Sequence, residues 1–569
     1  MHFTLPDFAN PKGPGLYVGL EVQVSHSTAS QSRSESDLAV NPRNPSNLVG
    51  ASKRFDEPQK YHFHLSPFYS LDGGETWGES TLPMLPGWQG MTDPAVTFDA
   101  NGAAYLLGEP LSYGQDLTGL GMVVYRSGDG GQTWSNPVQL TTSDRDDKQW
   151  MAADDRPESP FHGNVYAVWG ANQNCGFARS TDGGLTWRGP GAQKAAGHLD
   201  FSVYAPAIVT DSNGWIHIFD ISPASKSSVR HLRSKDGGAT FEKPVVVADV
   251  QGLEGLSTSV GGFPILPNGH FRVRTMVTAA VGSGGTLVIA WPELRDGVSR
   301  IFYRVSRDGG QTWEGPTSGS PLIPSGVLPG QHCFMPQLAA TPSGTVGCAF
   351  YAFGQEFGAG PYLLNLYLSA SYDDAGTFPH RRRVTKHGWN PDVNAPWSHG
   401  DRNLLFIGDY FGLAATDEVF VPFWTDTRTG VQEIFCAQVL TTEPSYIDVW
   451  VPDEWPLVFR GVAEDGGGLV IVGGKIVRVP PRSPVLGVLE AVSVIEGASA
   501  FSSGNADLVR RAGAAELLAR AEALHLNSLG ANAPVQNSAP PARPAQRVQT
   551  KRSASKAIET RQRKGAGSS

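Results

Sequence analysis

SLDGGETW (70–77), SGDGGQTW (127–134), STDGGLTW (180–187), SKDGGATF (234–241), SRDGGQTW (306–313) and SYDDAGTF (371–378) are six copies of one octapeptide. Their aspartates, at 72, 129, 182, 236, 308 and 373, stand 57, 53, 54, 72 and 65 residues apart. A period of roughly 50 to 70 residues is that of a propeller blade, a four-stranded sheet repeated around an axis. The octapeptide suits a hairpin within such a blade. Asp-Gly-Gly supplies positive φ for a tight turn, and the Asp and Ser/Thr side chains can bond local backbone amides. The closing Trp or Phe offers a large face to a neighbouring sheet. These are scaffold roles.

The same order of strands precedes each copy. A first strand reads like DPAVTFDANG (93–102) or SDLAVNPRNP (36–45), a second like AAYLLGE (103–109) or NVYAVWG (164–170), and a third like GMVVYRS (121–127) or IFYRVS (301–306). A seventh unit, 408–440, has three such strands and no octapeptide, so it lacks an outer strand. GLYVGLEVQV (15–24) is placed to supply it and close the ring, which removes exposed sheet edges. The expected fold is all-β, a seven-bladed propeller over about 15–445, with six blades as the alternative.

The octapeptide S-x-D-G-G-x-T-W resembles the Asp box of the bacterial-neuraminidase-repeat proteins, whose fold is the sialidase-like β-propeller. The resemblance covers about three quarters of the chain. The box recurs in sialidases, other glycosidases, sorting receptors and assembly factors, so it implies the fold more strongly than the reaction.

Length alone suggests three or four domains for 569 residues, an estimate that a repeat architecture replaces. The 67 Gly, 42 Pro and 55 aromatic residues favour short strands and tight turns over a helical bundle. Residues 1–14 read as a lead and 446–526 as a small C-terminal α/β module. Within that module 485–500 and 505–526 carry helical periodicity. The stretch 527–569, rich in Pro, Ala and Ser, reads as disordered. Eight basic residues against Glu559 give that segment +7, which leaves −16 on residues 1–526. An acidic body disfavours nucleic acid and anionic lipid as partners. Cys175, Cys333, Cys348 and Cys436 have neither disulfide-framework nor CxxC spacing. His62 and His64 alternate onto one strand face, yet no essential metal or cofactor is expected. No signal peptide or membrane span is read, which makes the cytoplasm the default and leaves non-classical export open.

In a propeller, first-strand starts and second-strand ends converge on one face around the axis. By the repeat these positions are Glu35, Arg54, Asp56, Glu57, Asp93, Glu109, Asp147, Lys148, Trp150, Tyr204, Arg272, Glu293, Arg295, Gln355, Asp409, Tyr410, Asp426 and Arg428. The sialidase resemblance implies a tyrosine nucleophile activated by a glutamate, a separate acid/base, and arginines gripping the substrate carboxylate. Carried over residue by residue, it makes Tyr410 in GDYFGLA the nucleophile, Asp56 the acid/base and Glu293 the activator. Arg54, Arg295 and Arg428 become substrate ligands, with Asp93 and Trp150 beside them. Two departures stand against it. The Arg-Ile-Pro signature is replaced by SESDLAV, and GPYLLNLYLS, ahead of the last octapeptide, lacks a clamp arginine. WPELRDG (291–297) and WTDTRTG (424–430) repeat an acid and an arginine two residues apart, a pattern that equally suits a bracing ion pair. The leading expectation is an exo-sialidase-like hydrolase of terminal acidic sugars. The alternatives are a non-catalytic propeller that binds glycan or a protein surface, and a glycosidase using a carboxylate pair such as Asp93 and Asp426.

Overall fold

The computed structural model describes residues 12–443, except 28–30, 115–116, 173, 192, 222–226, 258–261, 356–357 and 359. It also describes the backbone of five flanking strands, His2–Asp7, Ser445–Trp450, Val458–Val462, Gly468–Val472 and Lys475–Val479. His2–Asp7 pairs with Ser445–Trp450, and the last three strands form an antiparallel sheet of their own. The helical stretches read at 485–500 and 505–526, and the basic segment 527–569, lie outside the described residues.

Between them stand seven antiparallel sheets, six of four strands and one with a fifth strand added. Their innermost strands are Ser32–Asn41, Gly90–Phe98, Asp146–Ala153, Ala207–Thr210, Thr278–Val281, His332–Ala340 and Gly412–Ala415, in blades 1 to 7. Each touches the next in order, and the seventh returns to the first, so the sheets form a closed ring. The fold is an all-β, seven-bladed propeller. Blade 7 takes its outer strand from the N-terminal side: Gly13–Gln23 pairs with Glu433–Glu443, as the missing octapeptide requires. Among the described residues, no helix is long and apolar enough to cross a membrane.

Every blade is sandwiched between two others, so both of its faces are buried and its second strands read as largely apolar runs rather than alternating ones. Val165–Ala171, VYAVWGA, is buried at every position. Trp169, Trp291 and Trp424, from the second strands of blades 3, 5 and 7, are among the largest fully buried side chains.

The six octapeptides join third strand to fourth and share one hydrogen-bond pattern. In the second copy Ser127 Oγ donates to Asp129 Oδ1 at 2.8 Å, and the amides of Gly131 and Thr133 donate to Ser127 Oγ and Asp129 Oδ1 at 2.9 Å each. Thr133 Oγ1 closes the turn on Asp129 Oδ2 at 2.6 Å. Desolvation acts to raise the Asp129 pKa, but these donors outweigh it and hold the carboxylate below its ordinary range. In the second to fifth copies the second glycine packs on the preceding blade, and the sixth copy carries Ala375 there. A Cβ on Gly184 (φ 81°) would lie 2.4 Å from the Tyr105 ring of blade 2, and one on Gly238 (φ 82°) 2.5 Å from Phe177 of blade 3. The repeat therefore couples blade to blade through its turn, which is why it reports fold and not chemistry.

Candidate functional site

Four innermost strands begin with the same irregularity. Ladder register shifts at Ser34/Ser36, Thr92/Ala95, Asp147/Trp150 and Phe334/Gln337. Within these bulges Glu35, Asp93, Lys148 and Met335 adopt φ of 48°, 53°, 54° and 48°. A non-glycine residue in the left-handed region costs about 1–2 kcal/mol, so the repetition marks positions held by their surroundings. Three of the four are charged, buried and in contact at the axis.

Lys148 Nζ reaches Glu35 Oε1 at 3.2 Å, Asp93 Oδ2 at 3.1 Å and Asp409 Oδ2 at 3.0 Å. Lys53 Nζ bonds the other oxygen of Glu35 and lies 3.0 Å from Asp93 Oδ1. Arg272 clasps Asp409 with two bonds, Nε to Oδ1 at 3.0 Å and Nη2 to Oδ2 at 2.7 Å. Three cations and three carboxylates from blades 1, 2, 3, 5 and 7 thus meet in one buried cluster. Burial alone raises the pKa of Asp93 and Asp409; the facing cations, Lys148 and Lys53 for Asp93 and Arg272 and Lys148 for Asp409, outweigh it and hold both well below the usual carboxylate range. For Glu35, burial and then Asp93 raise the pKa against the pull of the two lysines. Glu109, also buried, is pushed well up by desolvation and then by Asp147 and Asp93.

Aromatic rings close over the cluster. Lys53 Nζ sits 4.5 Å from the Phe63 ring centre and 5.1 Å from that of Phe406. The Arg272 guanidinium lies 4.4 Å from Phe406 and 4.9 Å from Phe263. A turn at Ser398–Gly400 sets His399 (φ 52°) between Tyr61 and Phe263, with ring centres 4.8 and 5.3 Å away. Burial, then the nearby Arg272, pulls the His399 pKa down to about 4, so it lies there as a neutral ring. The centre of this face is filled.

The sequence-derived candidates divide into two groups. Tyr410, Asp93 and Trp150 come together at the axis. Tyr410 is 4 % exposed, its ring meets Trp150 edge-on at 5.5 Å, and its hydroxyl has no hydrogen-bond partner. Burial, then Asp93 and Glu35, pushes its phenol well above the ordinary range. The remaining candidates lie apart, at second-strand ends. Glu293, 1 % exposed in blade 5, accepts from Trp291 Nε1 at 2.8 Å and Arg295 Nε at 2.9 Å, and does not reach the Tyr410 hydroxyl. Arg295 also donates to the Ser318 carbonyl and lies over Phe302 at 3.6 Å. In blade 7 Arg428 binds Asp426 at 2.5 Å and Glu21 at 2.9 Å, and Trp424 Nε1 reaches Asp426 at 3.4 Å. The two W-x-acid-x-Arg segments are thus the same Trp–carboxylate–Arg brace in two blades. In blade 1 Arg54 Nε donates to Asp56 at 3.1 Å, and Asp56 also meets His64 Nδ1 at 2.5 Å. Partial burial raises the Asp56 pKa, but His64 and Arg54 prevail and leave it below the ordinary value. Arg54, Arg295 and Arg428 each hold an acid of their own blade and do not converge on one point. Asp426 is likewise committed to its brace, away from Asp93 in the axial cluster.

Lys53, Tyr61, Arg274 and His399 belong to this centre without having been singled out. The resemblance points to Arg54, whereas its neighbour Lys53 is the residue that faces the cluster; alternation does not separate them, because both faces of blade 1 are buried. His399 lies in a long connection with no counterpart in the other repeats.

No protein-family model matches the chain, and no curated protein matches it. Solved structures do. A protein of unknown function from Dyadobacter fermentans DSM 18053 aligns at 13% identity and TM-score 0.43, covering 75% of this chain and 100% of that one. A leech intramolecular trans-sialidase aligns at 13% identity and TM-score 0.39, over 59% of this chain and 67% of its own. Trypanosoma rangeli sialidase gives 15% identity and TM-score 0.38, over 64% and 60%. Likeness at this level carries no argument about reaction or ligand.

Proposed function

We propose that this protein is a non-catalytic Asp-box propeller that binds a glycan or glycoconjugate through the face where the second strands end. The observation that carries the reading is the filled centre of that face, where the ion cluster and the rings above it leave no open pocket at its entrance. Glycoside hydrolysis needs a carboxyl group able to give up a proton and a nucleophile or base opposite it. Here Asp93 and Asp409 are fixed as carboxylates by buried cations, Glu35 is held by Lys53 and Lys148, Glu109 is buried, and Tyr410 has no base at its hydroxyl. The surface above offers what a sugar-binding face requires, flat rings beside polar groups. His399 stands between Tyr61 and Phe263, and His62 stacks on Tyr113 at 4.0 Å with Glu57 and Asp56 nearby.

An exo-sialidase is the second reading, favoured by Tyr410 and Trp150 lying together at the axis. It requires the turn carrying His399 to lift and the ion pairs beneath to yield. A glycan array read with wild type, His399→Ala and Tyr113→Ala tests the binding reading. The expected result is a defined set of bound glycans, with the signal cut about tenfold or more by either substitution. A blank array, or binding untouched by both changes, would contradict it.

A further inference from the structure

Between blades 4 and 5, away from the axial cluster, three titratable side chains stand in a row. Asp211 closes the turn from the first to the second strand of blade 4, where its Oδ1 accepts the amides of Asn213 and Trp215 at 2.9 Å each. Its Oδ2 lies 3.2 Å from His217 Nε2, and His217 Nδ1 lies 2.9 Å from His231 Nε2. The two histidines, on the second and third strands of the blade, are 0 % and 2 % exposed. Ile216 and Ile218 pack toward blade 3, so strand alternation turns His217 toward blade 5. His231 meets that blade directly. A Cβ on Gly310, the second glycine of the fifth octapeptide, would lie 2.3 Å from its Cε1, and Trp313 of the same octapeptide meets its ring edge-on at 6.1 Å.

The other charges around the pair have partners of their own. Arg233, on the third strand, donates to the Gly309 carbonyl of blade 5 and to Glu242 at 2.9 Å. Lys235 reaches Glu242 at 3.0 Å and lies over Trp215. Asp308 of blade 5 accepts the Thr312 amide at 2.8 Å within its own turn. Only one proton fits between two imidazole nitrogens 2.9 Å apart, so one ring donates and the other accepts. With both rings fully protonated, two N–H groups would oppose each other across that gap in a site closed to water. The folded pair therefore takes up at most one proton beyond its neutral state, the one that Asp211 balances, whereas two separate histidines of the unfolded chain take up two. Burial, against the pull of Asp211, lowers the His217 pKa; burial and then His217 hold His231 well below the ordinary histidine range. We infer that the His217–His231 pair is an acid-sensitive latch, which holds blade 4 to blade 5 while neutral and releases that interface as acid forces further protons onto it. Below the unfolded histidine value of about 6.5 the closed form binds fewer protons than the opened one. The latch is thus shut above that pH and loses its hold as pH falls beneath it, each withheld proton favouring the opened form about tenfold per pH unit.

The test is amide hydrogen exchange of the full-length protein at about pH 7.5 and about pH 5, corrected for the intrinsic pH dependence of exchange. Protection in Ile216–Ile221 and Ser228–Ser234 is expected to fall about tenfold or more on acidification, with little change in Val419–Asp426 of blade 7. His231→Phe keeps a flat ring against Phe219, on which His231 stacks at 4.6 Å, and removes the titrating nitrogens, so it should abolish most of the fall. If that variant does not fold, Asp211→Asn serves in its place. Its amide oxygen still accepts the turn amides but balances no charge, so the fall should begin at a higher pH. Protection independent of pH in wild type, an equal fall in Val419–Asp426, or a fall unaltered in whichever variant folds would overturn the inference. None of these outcomes bears on the glycan array, so the two proposals fail separately.

Discussion

Lys148 is the residue on which the axial cluster turns, since its ammonium faces carboxylates from blades 1, 2 and 7 at once. Removing one partner from a buried ion network leaves the others uncompensated, which costs about 3–5 kcal/mol. Lys148→Met is therefore expected to lower unfolding free energy by that amount in denaturant titration. Arg54→Ala, at a partly exposed pair, should cost about 1 kcal/mol or less. Equal effects would show that the cluster does not hold the ring. Asp37 gives a pH signature of the opposite kind to a salt-bridged acid. Its folded pKa of about 7 lies above the unfolded value of about 3.9, so between these the native state keeps a proton that the unfolded chain has lost. Its contribution to stability must then fall as pH rises through this window and level off above it. Subtracting the stability profile of Asp37→Asn from that of wild type, from pH 4 to 8, should reveal this downward slope; a flat difference would contradict the assignment.

At the scale of the element, the octapeptide turn carries the coupling between blades. Gly184→Ala places a methyl group 2.4 Å from the buried Tyr105 ring at a φ of 81°, and its cost should exceed the about 1 kcal/mol of the backbone alone. The neighbouring Gly183→Ala, with φ 71° and its nearest contact at 4.0 Å, isolates that backbone cost. Equal melting temperatures for the two would refute packing as the reason for the second glycine. These turns are legible in the sequence because their chemistry is local: the aspartate accepts from amides three and four residues on and the glycines supply the backbone angle. The bulges are not. Glu35, Asp93 and Lys148 look like ordinary polar residues at strand starts, and only the ring brings them together from three blades. Glu293 and Arg295 show the converse. Their spacing is as plain as an active-site motif, yet the strand directs them to Trp291 and to each other.

For the whole molecule, closure is what makes seven sheets one body. Gly13–Gln23 sits on blade 7 with more than 400 residues of chain between it and its partner Glu433–Glu443. Deleting residues 1–24 should expose the edge of Glu433–Glu443, lower the melting temperature and promote association through that edge, as seen by light scattering. A truncated chain that stays monomeric with an unchanged melting temperature would show that the ring closes without this strand. The seven repeats and the closing strand are legible in the sequence, since a period and a missing strand are properties of the chain. Whether the centre is open could not be read, because it depends on side chains from five blades and on the connection carrying His399. That point separates a hydrolase from a binder. The most direct test is release of the fluorogenic group from an α-sialoside by wild type and Tyr410→Phe side by side. The filled centre of that face predicts no turnover by either protein. Turnover by wild type that collapses in Tyr410→Phe would contradict it and make the protein a sialidase.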